Sequence, residues 1–151
     1  MGDNPLLIRS DLLLNKRNNF STALRNNSYS SNGRSQRLKL KLRKRSQATF
    51  YLWVQNDGLS ARSFKLQVTP PKKKIYKFKA IRITGGGANI TGSIRRGVET
   101  GELAIDEQWL CRCQVRGKKR RGRHTLRFSA FATTDPSVRD VGQVQILAKD
   151  K

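Results

Sequence analysis

Lysine and arginine alternate strictly with leucine over residues 37–43, which read RLKLKLR. A period of two places Leu38, Leu40 and Leu42 on one face of a β-strand and the intervening cations on the other. The segment is therefore predicted to be a half-buried strand with a cationic outer face.

Short segments of similar character continue along the chain. Residues 48–55 are apolar or aromatic on both faces and end in the turn signal Asn56, Asp57 and Gly58, which predicts a central strand. Further strands are predicted over residues 64–68, 76–83, 89–95, 100–105, 108–115, 124–132 and 138–148. Regular short strands separated by turns, with no stretch of helical period, predict an all-β fold, an antiparallel β-sandwich.

The predicted strand over residues 76–83 changes phase in its middle. The residues from Tyr76 to Ala80 alternate in one phase, and Ile81 and Ile83 then take the inner face while Arg82 turns outward. A slip of one residue predicts a β-bulge at this point.

The N-terminal part of the chain has a different composition. Residues 10–36 are rich in Asn, Ser and Arg with scattered apolar positions, which predicts an extended arm and no regular element. Residues 5–9 are predicted to form a short strand that pairs with a neighbouring subunit. Since 151 residues suffice for one domain with a real core, we divide the chain into a strand and arm (1–36) and a sandwich (37–151).

The balance of charge is strongly positive. Lysine and arginine number 32 against 10 acids, so the net charge is +22. No acid falls between Asp11 and Asp57, between Asp57 and Glu99, or between Glu107 and Asp135. Such a charge destabilises a compact chain by self-repulsion unless a partner neutralises it. A polyanion is therefore the predicted partner, and its binding would also stabilise the fold.

Three basic segments are the candidate binding residues. They are the outer face of residues 37–45, the lysines of residues 72–79, and the loop GKKRRGR at residues 117–123, predicted to join two strands as a cationic hairpin. The candidates are Arg37, Lys39, Lys41, Arg43, Lys44, Arg45, Lys72, Lys73, Lys74, Lys77, Lys79, Arg116, Lys118, Lys119, Arg120, Arg121, Arg123 and Arg127. Contacts of this kind engage phosphates, so they position a nucleic acid without reading its bases. If six to ten such contacts form, raising the salt concentration from 50 to 200 mM should lower the affinity by a factor of about 10³ to 10⁵.

The aromatic residues bear on the kind of nucleic acid. Tyr51, Trp53 and Tyr76 are candidates for base stacking on a single strand, although such residues more often fill a core or a subunit contact. No RNA-recognition signature is present in the sequence. Arginine is also preferred in narrow A·T-rich minor grooves. Double-stranded DNA is therefore favoured over RNA.

The residue types that carry catalysis are sparse. His124 is the single histidine, and no acid and base pair with it in the sequence. Gly85–Gly87 is followed by neither a Gly-Lys-Ser/Thr signature nor a helix, so it is interpreted as a turn. Cys111 and Cys113 lie two residues apart on one strand face and are interpreted as core residues without metal or redox chemistry. We therefore predict no enzyme, no cofactor, no metal and no small-molecule substrate.

The sequence offers no targeting or membrane signal. Residues 1–5 lack a basic n-region, and the apolar run Leu6–Ile8 is cut short by Arg9. No apolar run approaches the roughly 18 residues of a membrane span. The protein is expected to be intracellular, or processed and extracellular, with no membrane span.

Four segments resemble an immunoglobulin-like repeat domain of large bacterial surface or secreted proteins. They are ATFYLWVQNDG (48–58), GGANITGSI (86–94), TGEL (100–103) and TDPSVRDVGQVQI (134–146). The resemblance covers nearly the whole chain and implies an immunoglobulin-like β-sandwich with adhesive or structural duty. This chain stands alone and is basic where those repeats are neutral or acidic, which favours a packaging or coating role.

Our leading hypothesis is a non-enzymatic protein that coats nucleic acid without sequence preference and polymerises into a nucleoprotein filament. Neighbouring copies would meet through the N-terminal arm and the acidic cluster of Glu99, Glu102, Asp106 and Glu107, giving head-to-tail homo-oligomers. Two alternatives stay open. One is a structural subunit of an extracellular filament or surface layer that binds another polyanion, and the other is a lineage-specific component of a ribosome or other ribonucleoprotein.

Overall fold

The computed structural model describes residues 9–20 and 36–149, and it places ten β-strands in these ranges. The strands are β1 (Ser10–Asn15), β2 (Arg37–Leu42), β3 (Gln47–Asn56), β4 (Arg62–Val68), β5 (Tyr76–Arg82), β6 (Ala88–Asn89), β7 (Val98–Leu103), β8 (Gln108–Gly117), β9 (Gly122–Ala132) and β10 (Asp135–Ala148). Residues 9–20 and 36–149 contain no α-helix. The apolar faces of the strands therefore supply the core.

The strands form two five-stranded sheets that pack face to face. Sheet 1 has the order β1-β3-β8-β5-β6, and sheet 2 has the order β2-β10-β9-β4-β7. The chain therefore crosses from one sheet to the other between β1 and β2, as in an immunoglobulin-like sandwich. The predicted fold class is confirmed, with one refinement: β2 pairs with β10 in parallel, while the other strand pairs are antiparallel.

The alternating patterns in the sequence set the core. Leu40 and Leu42 of β2 are buried while Arg37, Lys39 and Lys41 are exposed, as the period of two predicts. Strand β3 is an interior strand of sheet 1, as expected for a segment that is apolar on both faces. Its inner residues pack in a core that both sheets share.

Two cysteines occupy the centre of this core. Cys111 and Cys113 of β8 are fully buried, and their sulfur atoms lie 3.9 Å apart as free thiols. Burial raises the pKa of the Cys113 thiol, and the neighbouring Cys111 adds to the shift. Their interpretation as small core residues is confirmed.

The prediction for the N-terminal segment is wrong in part. Ser10–Asn15 is not a loose arm but strand β1, which pairs with β3 and places Leu12 and Leu14 in the core. Three consecutive leucines hid the alternation, because Leu13 takes the outer face and is also buried. Residues 5–8 of the strand predicted over residues 5–9 lie outside the described residues, as does most of the remaining arm, and Arg9 belongs to no strand.

Two other predictions of local structure are wrong. No bulge interrupts β5, whose register with β8 runs without a shift from Tyr76 to Arg82. Ile81 therefore stays on the outer face and Arg82 shares the inner face with Ala80. The strand predicted over residues 89–95 shrinks to the two residues of β6, and a turn over residues 91–96 follows it.

A buried carboxylate links strand β1 of sheet 1 to strand β10 and the start of β2 in sheet 2. Asp140 of β10 is almost fully buried and accepts hydrogen bonds from the backbone N–H of Leu12 (2.8 Å) and from Nε2 of Gln36 (2.7 Å). The same Gln36 amide also donates to the carbonyl of Val141 at 3.0 Å. Strands β1 and β10 and the start of β2 are thereby joined at one node.

Candidate nucleic-acid interface

Three loops meet at one end of the sandwich, which we call the basic end. They are residues 43–46 between β2 and β3, residues 69–75 between β4 and β5, and residues 118–121 between β8 and β9. Backbone bonds join them: Arg45 N–H donates to Gly117 O (3.0 Å), and Lys118 N–H donates to Ile75 O (2.9 Å). Ten of the predicted cations lie on these loops: Arg43, Lys44, Arg45, Lys72, Lys73, Lys74, Lys118, Lys119, Arg120 and Arg121.

The two glycines that flank the hairpin loop allow this close approach. A Cβ atom at Gly117 would collide with the carbonyl oxygen of Arg43, and one at Gly122 would collide with the side chain of Ile75. Glycine at these two positions lets the three loops pack against one another.

A tyrosine and the single histidine tie the two sheets together beneath the loops. The Lys72 N–H donates to Oη of Tyr76 (3.3 Å), which lies 2.7 Å from Nδ1 of His124. Burial raises the pKa of Tyr76 to about 12, so its hydroxyl stays protonated at neutral pH. Burial, and then the charge of Lys72, lower the pKa of His124. Tyr76 thus links the lysine loop to His124 of the other sheet.

A second group of predicted cations lies on the outer face of sheet 2. The β2–β10–β9 registers place Lys41 and Arg123 on either side of Leu147, and Arg37 and Arg127 on either side of Gln143. Arg37 Nε donates to Oε1 of Gln143 at 3.1 Å. A groove of about 310 Å³ on this face is lined by Lys39, Lys41 and Arg123 together with Leu147.

The remaining predicted cations lie on the opposite side of the molecule. Lys77 and Lys79 of β5 and Arg116 of β8 occupy the outer face of sheet 1, with Lys77 directly paired with Arg116. The predicted residues therefore do not share one face. They form a band that covers parts of both outer faces and is joined across the basic end.

Sequence reasoning missed two arginines of this band. Arg95 lies in the turn over residues 91–96 and lines a groove of about 460 Å³ with Lys73, Lys77 and Lys118. Arg112 lies on the outer face of sheet 1, opposite Ile81 in the register. The signal for Arg95 was the Arg95–Arg96 pair, which the erroneous prediction of a strand there concealed.

The aromatic candidates for base stacking are largely covered. Tyr76 is fully buried and Trp53 is 3% exposed. Phe20 packs edge-on against Trp53, with ring centroids 5.9 Å apart, and Tyr51 is half-buried beside it. Neither Trp53 nor Tyr76 is accessible to a base, and the interpretation of both as packing residues is confirmed.

The acidic residues lie away from the basic end. Glu102, Asp106 and Glu107 lie at the opposite end of the sandwich, where β7 ends and β8 begins, and Glu99 lies further along β7. The ten residues of β3 connect the two ends, a length of about 33 Å. This is about three Debye lengths at 0.1 M salt, so the two ends do not neutralise each other within one copy.

Other kinds of site were also sought in the described ranges. Residues 9–20 and 36–149 hold no group of three or more His, Cys, Asp or Glu side chains arranged to bind a metal ion. Among the same residues, no helix has the length and apolar character needed to cross a membrane.

Comparisons with known proteins show the fold and not the function. No family profile matches the sequence, and no curated protein matches it. AvmM, which catalyses macrocyclization in alchivemycin A biosynthesis, is 8% identical over 97% of this chain and 90% of its own, with a TM-score of 0.51. A family 123 glycoside hydrolase from Clostridium perfringens is 4% identical over 77% of this chain and 23% of its own, also with a TM-score of 0.51. The PapD-like domain 7 of human CEP192 covers 100% of this chain at 9% identity, with a TM-score of 0.45.

Proposed function

We propose that this protein coats nucleic acid, and double-stranded DNA in preference to RNA, by binding the phosphate backbone without sequence preference and without catalysis. The observation that carries the proposal is the convergence of three cationic loops at one end of a rigid sandwich. The ten cations of these loops come from three separate parts of the sequence and are held together by backbone hydrogen bonds. A site held in this way has little conformational entropy to lose when it binds.

The size of the basic end suits a duplex. Five strands at about 4.8 Å spacing give each sheet an edge about 19 Å wide. Duplex DNA of that length carries about 11 phosphates, which is comparable to the ten cations of the end loops. The cations on the two outer faces would then contact the phosphates on either side of the bound segment.

The preference for a duplex follows from the covered aromatic residues. Single-strand binders combine a basic groove with exposed rings on which bases stack. In the described residues, Trp53 and Tyr76 are buried in packing contacts, so the phosphate contacts carry the binding. Contacts to phosphates give affinity that depends on salt and not on sequence.

The coating protein would polymerise along its ligand. Separation of cationic and acidic residues to opposite ends lets the acidic end of one copy face the basic end of the next. A net charge of +22 opposes such contacts in free protein, and bound phosphates would remove that opposition.

A competition experiment tests the proposal. The purified protein is titrated onto a labelled duplex, a single strand of the same length, duplex RNA and heparin, across about 50 to 200 mM salt. We expect binding to the duplex to be tightest, independent of its sequence, and lost steeply with salt. Failure to retain any nucleic acid at the lowest salt would overturn the proposal, and a clear preference for heparin or RNA would point to one of the two alternatives.

A further inference from the structure

The acidic end carries an exposed apolar pair. Leu59 is 64% exposed and Ile105 is 52% exposed, and they are the large apolar side chains of the described residues that stand out into solvent. They lie on the β3–β4 and β7–β8 loops, beside Asp57, Asp106 and Glu107. Residues 57–61 and 104–107 themselves include no cation, and Arg9 lies beside Asp57, whose N–H donates to the Arg9 carbonyl at 2.9 Å. We call these two loops the acidic knob.

A buried asparagine holds the acidic knob in shape. Asn56 is fully buried, and its Nδ2 donates to the carbonyls of Ser60 and Leu103, both at 2.9 Å. Its Oδ1 accepts from Gly58 N–H at 3.0 Å, and its carbonyl accepts from Asp106 N–H at 2.7 Å. One residue therefore fixes both loops, and the exposed apolar pair stands on a defined support.

The groove that contains Arg95 has complementary chemistry. Pro71, Phe78 and the buried Tyr76 line its apolar part, and its cations are Lys73, Lys77, Arg95 and Lys118. It lies along β5, where Ala80 N–H already turns away from β8 to bond Oγ1 of Thr91. Because alternate residues of a strand point their backbone groups the same way, the N–H and C=O of Phe78 face this groove. The groove is thus an apolar cleft with a cationic rim beside an open strand edge.

We propose that the acidic knob of one copy docks into this groove of the next copy. Apolar side chains flanked by carboxylates on one surface match an apolar cleft flanked by cations on the other. The two surfaces differ and lie at separated positions, so the contact is heterologous and can repeat from one copy to the next, in an open helical polymer wherever the rotation between copies does not close a ring. This inference deepens the coating function and rests on it for its setting, but the contact itself involves no nucleic acid.

Thiol cross-linking tests the contact in protein alone. One copy carries Ile105→Cys in the acidic knob and the other carries Gly92→Cys in the groove, where an added Cβ meets nothing within 4 Å. The native Cys111 and Cys113 are fully buried and do not compete. In mild oxidant at about 0.1 M salt, where charges beyond about 10 Å are screened, we expect a disulfide-linked heterodimer.

A matched control uses the other basic groove. Gln145→Cys lies in the groove on sheet 2 among Lys39, Lys41 and Arg123, so it measures attraction of the acidic knob to any cationic cleft. We expect roughly tenfold more heterodimer with Gly92→Cys than with Gln145→Cys. Equal yields from the two partners would overturn the proposal.

Reversal of charge supplies a second test. Adding Asp106→Lys to the knob variant should abolish cross-linking to the Gly92→Cys copy, and adding Arg95→Glu to that copy should restore it. A misfolded variant would also lose cross-linking and fail to recover it, so both variants are first shown to be folded. If two folded variants do not recover cross-linking, the docking is refuted. The Ile105→Asp variant separates the two proposals. Its affinity for a short duplex that holds one copy should be unchanged, whereas its cooperative binding to a long duplex should be lost.

Discussion

The position of the nucleic-acid site can be tested by removing two charges in two different places. Lys119 and Arg120 are exposed on the hairpin loop and line a cationic depression of the basic end. Arg62 and Arg82 lie toward the acidic end, where β4 pairs with the end of β7 and β5 terminates. The double variants K119Q/R120Q and R62Q/R82Q each lower the net charge from +22 to +20. They remove the same charge at opposite ends, and because Arg62 bonds Ser60 and Arg82 bonds the carbonyl of Gly85, the folding of each variant is measured as well.

The expected magnitude follows from counterion release. Each phosphate contact contributes about 0.9 to the slope of log K against log salt, so losing two contacts reduces the slope by about 1.8. Relative to a 1 M reference, this is a loss of affinity of about 60-fold at 0.1 M salt. The R62Q/R82Q variant should keep the wild-type slope and lose far less affinity.

The assay is fluorescence anisotropy with a short labelled duplex at a series of salt concentrations. Circular dichroism and urea unfolding of both variants establish that each remains folded. If the two variants lose the same affinity and the same slope, binding follows net charge alone, and the argument that the basic end forms a site is refuted.

Three predictions concern stability. Asp140→Ala removes the acceptor for Leu12 N–H and for Gln36, two buried donors; urea unfolding should show a loss of about 2–6 kcal/mol, whereas the exposed Glu102→Ala should change stability by less than about 0.5 kcal/mol. Because the pKa of His124 is lowered in the folded state, the unfolded chain binds the proton more readily. Stability should therefore be complete above about pH 6.5 and decline as the pH falls below it, and His124→Asn should flatten that decline. Cys111 and Cys113 are fully buried, so a thiol reagent should modify them only at the rate of unfolding; modification of the native state within the mixing time would contradict the core placement.

Much of the fold follows from local alternation along the chain. Strands such as β2 and β9 carry apolar and cationic residues at a period of two, so their inner and outer faces could be assigned without coordinates. The same rule failed at β1, where three adjacent leucines are all buried, because an outer face that is itself covered looks like an inner one. The rule failed again after Ala80. It assigns the apolar Ile81 to the inner face, but the unbroken register with β8 places Ile81 on the outer face.

The arrangement of the candidate site depends on contacts between distant residues. The hairpin loop and the lysine run were recognisable by composition, but nothing local indicates that Lys118 bonds the carbonyl of Ile75. The node at Asp140 joins residues up to 128 positions apart in the chain, and an isolated aspartate in a strand gives no sign of it. Arg95 joined the groove only because the segment around it turns where a strand was expected.

The parallel pairing of β2 with β10 has a mechanical consequence. Both strands run toward the basic end, in register over six residue pairs from Gln143–Arg37 to Ala148–Leu42. A force that pulled the start of β2 and the end of β10 in opposite directions would shear the pair along its length. Since the bonds between strands lie across that direction, they would resist together and not open one at a time as a zipper does. The pair would therefore resist tension along its own length better than strands that are pulled apart from one end.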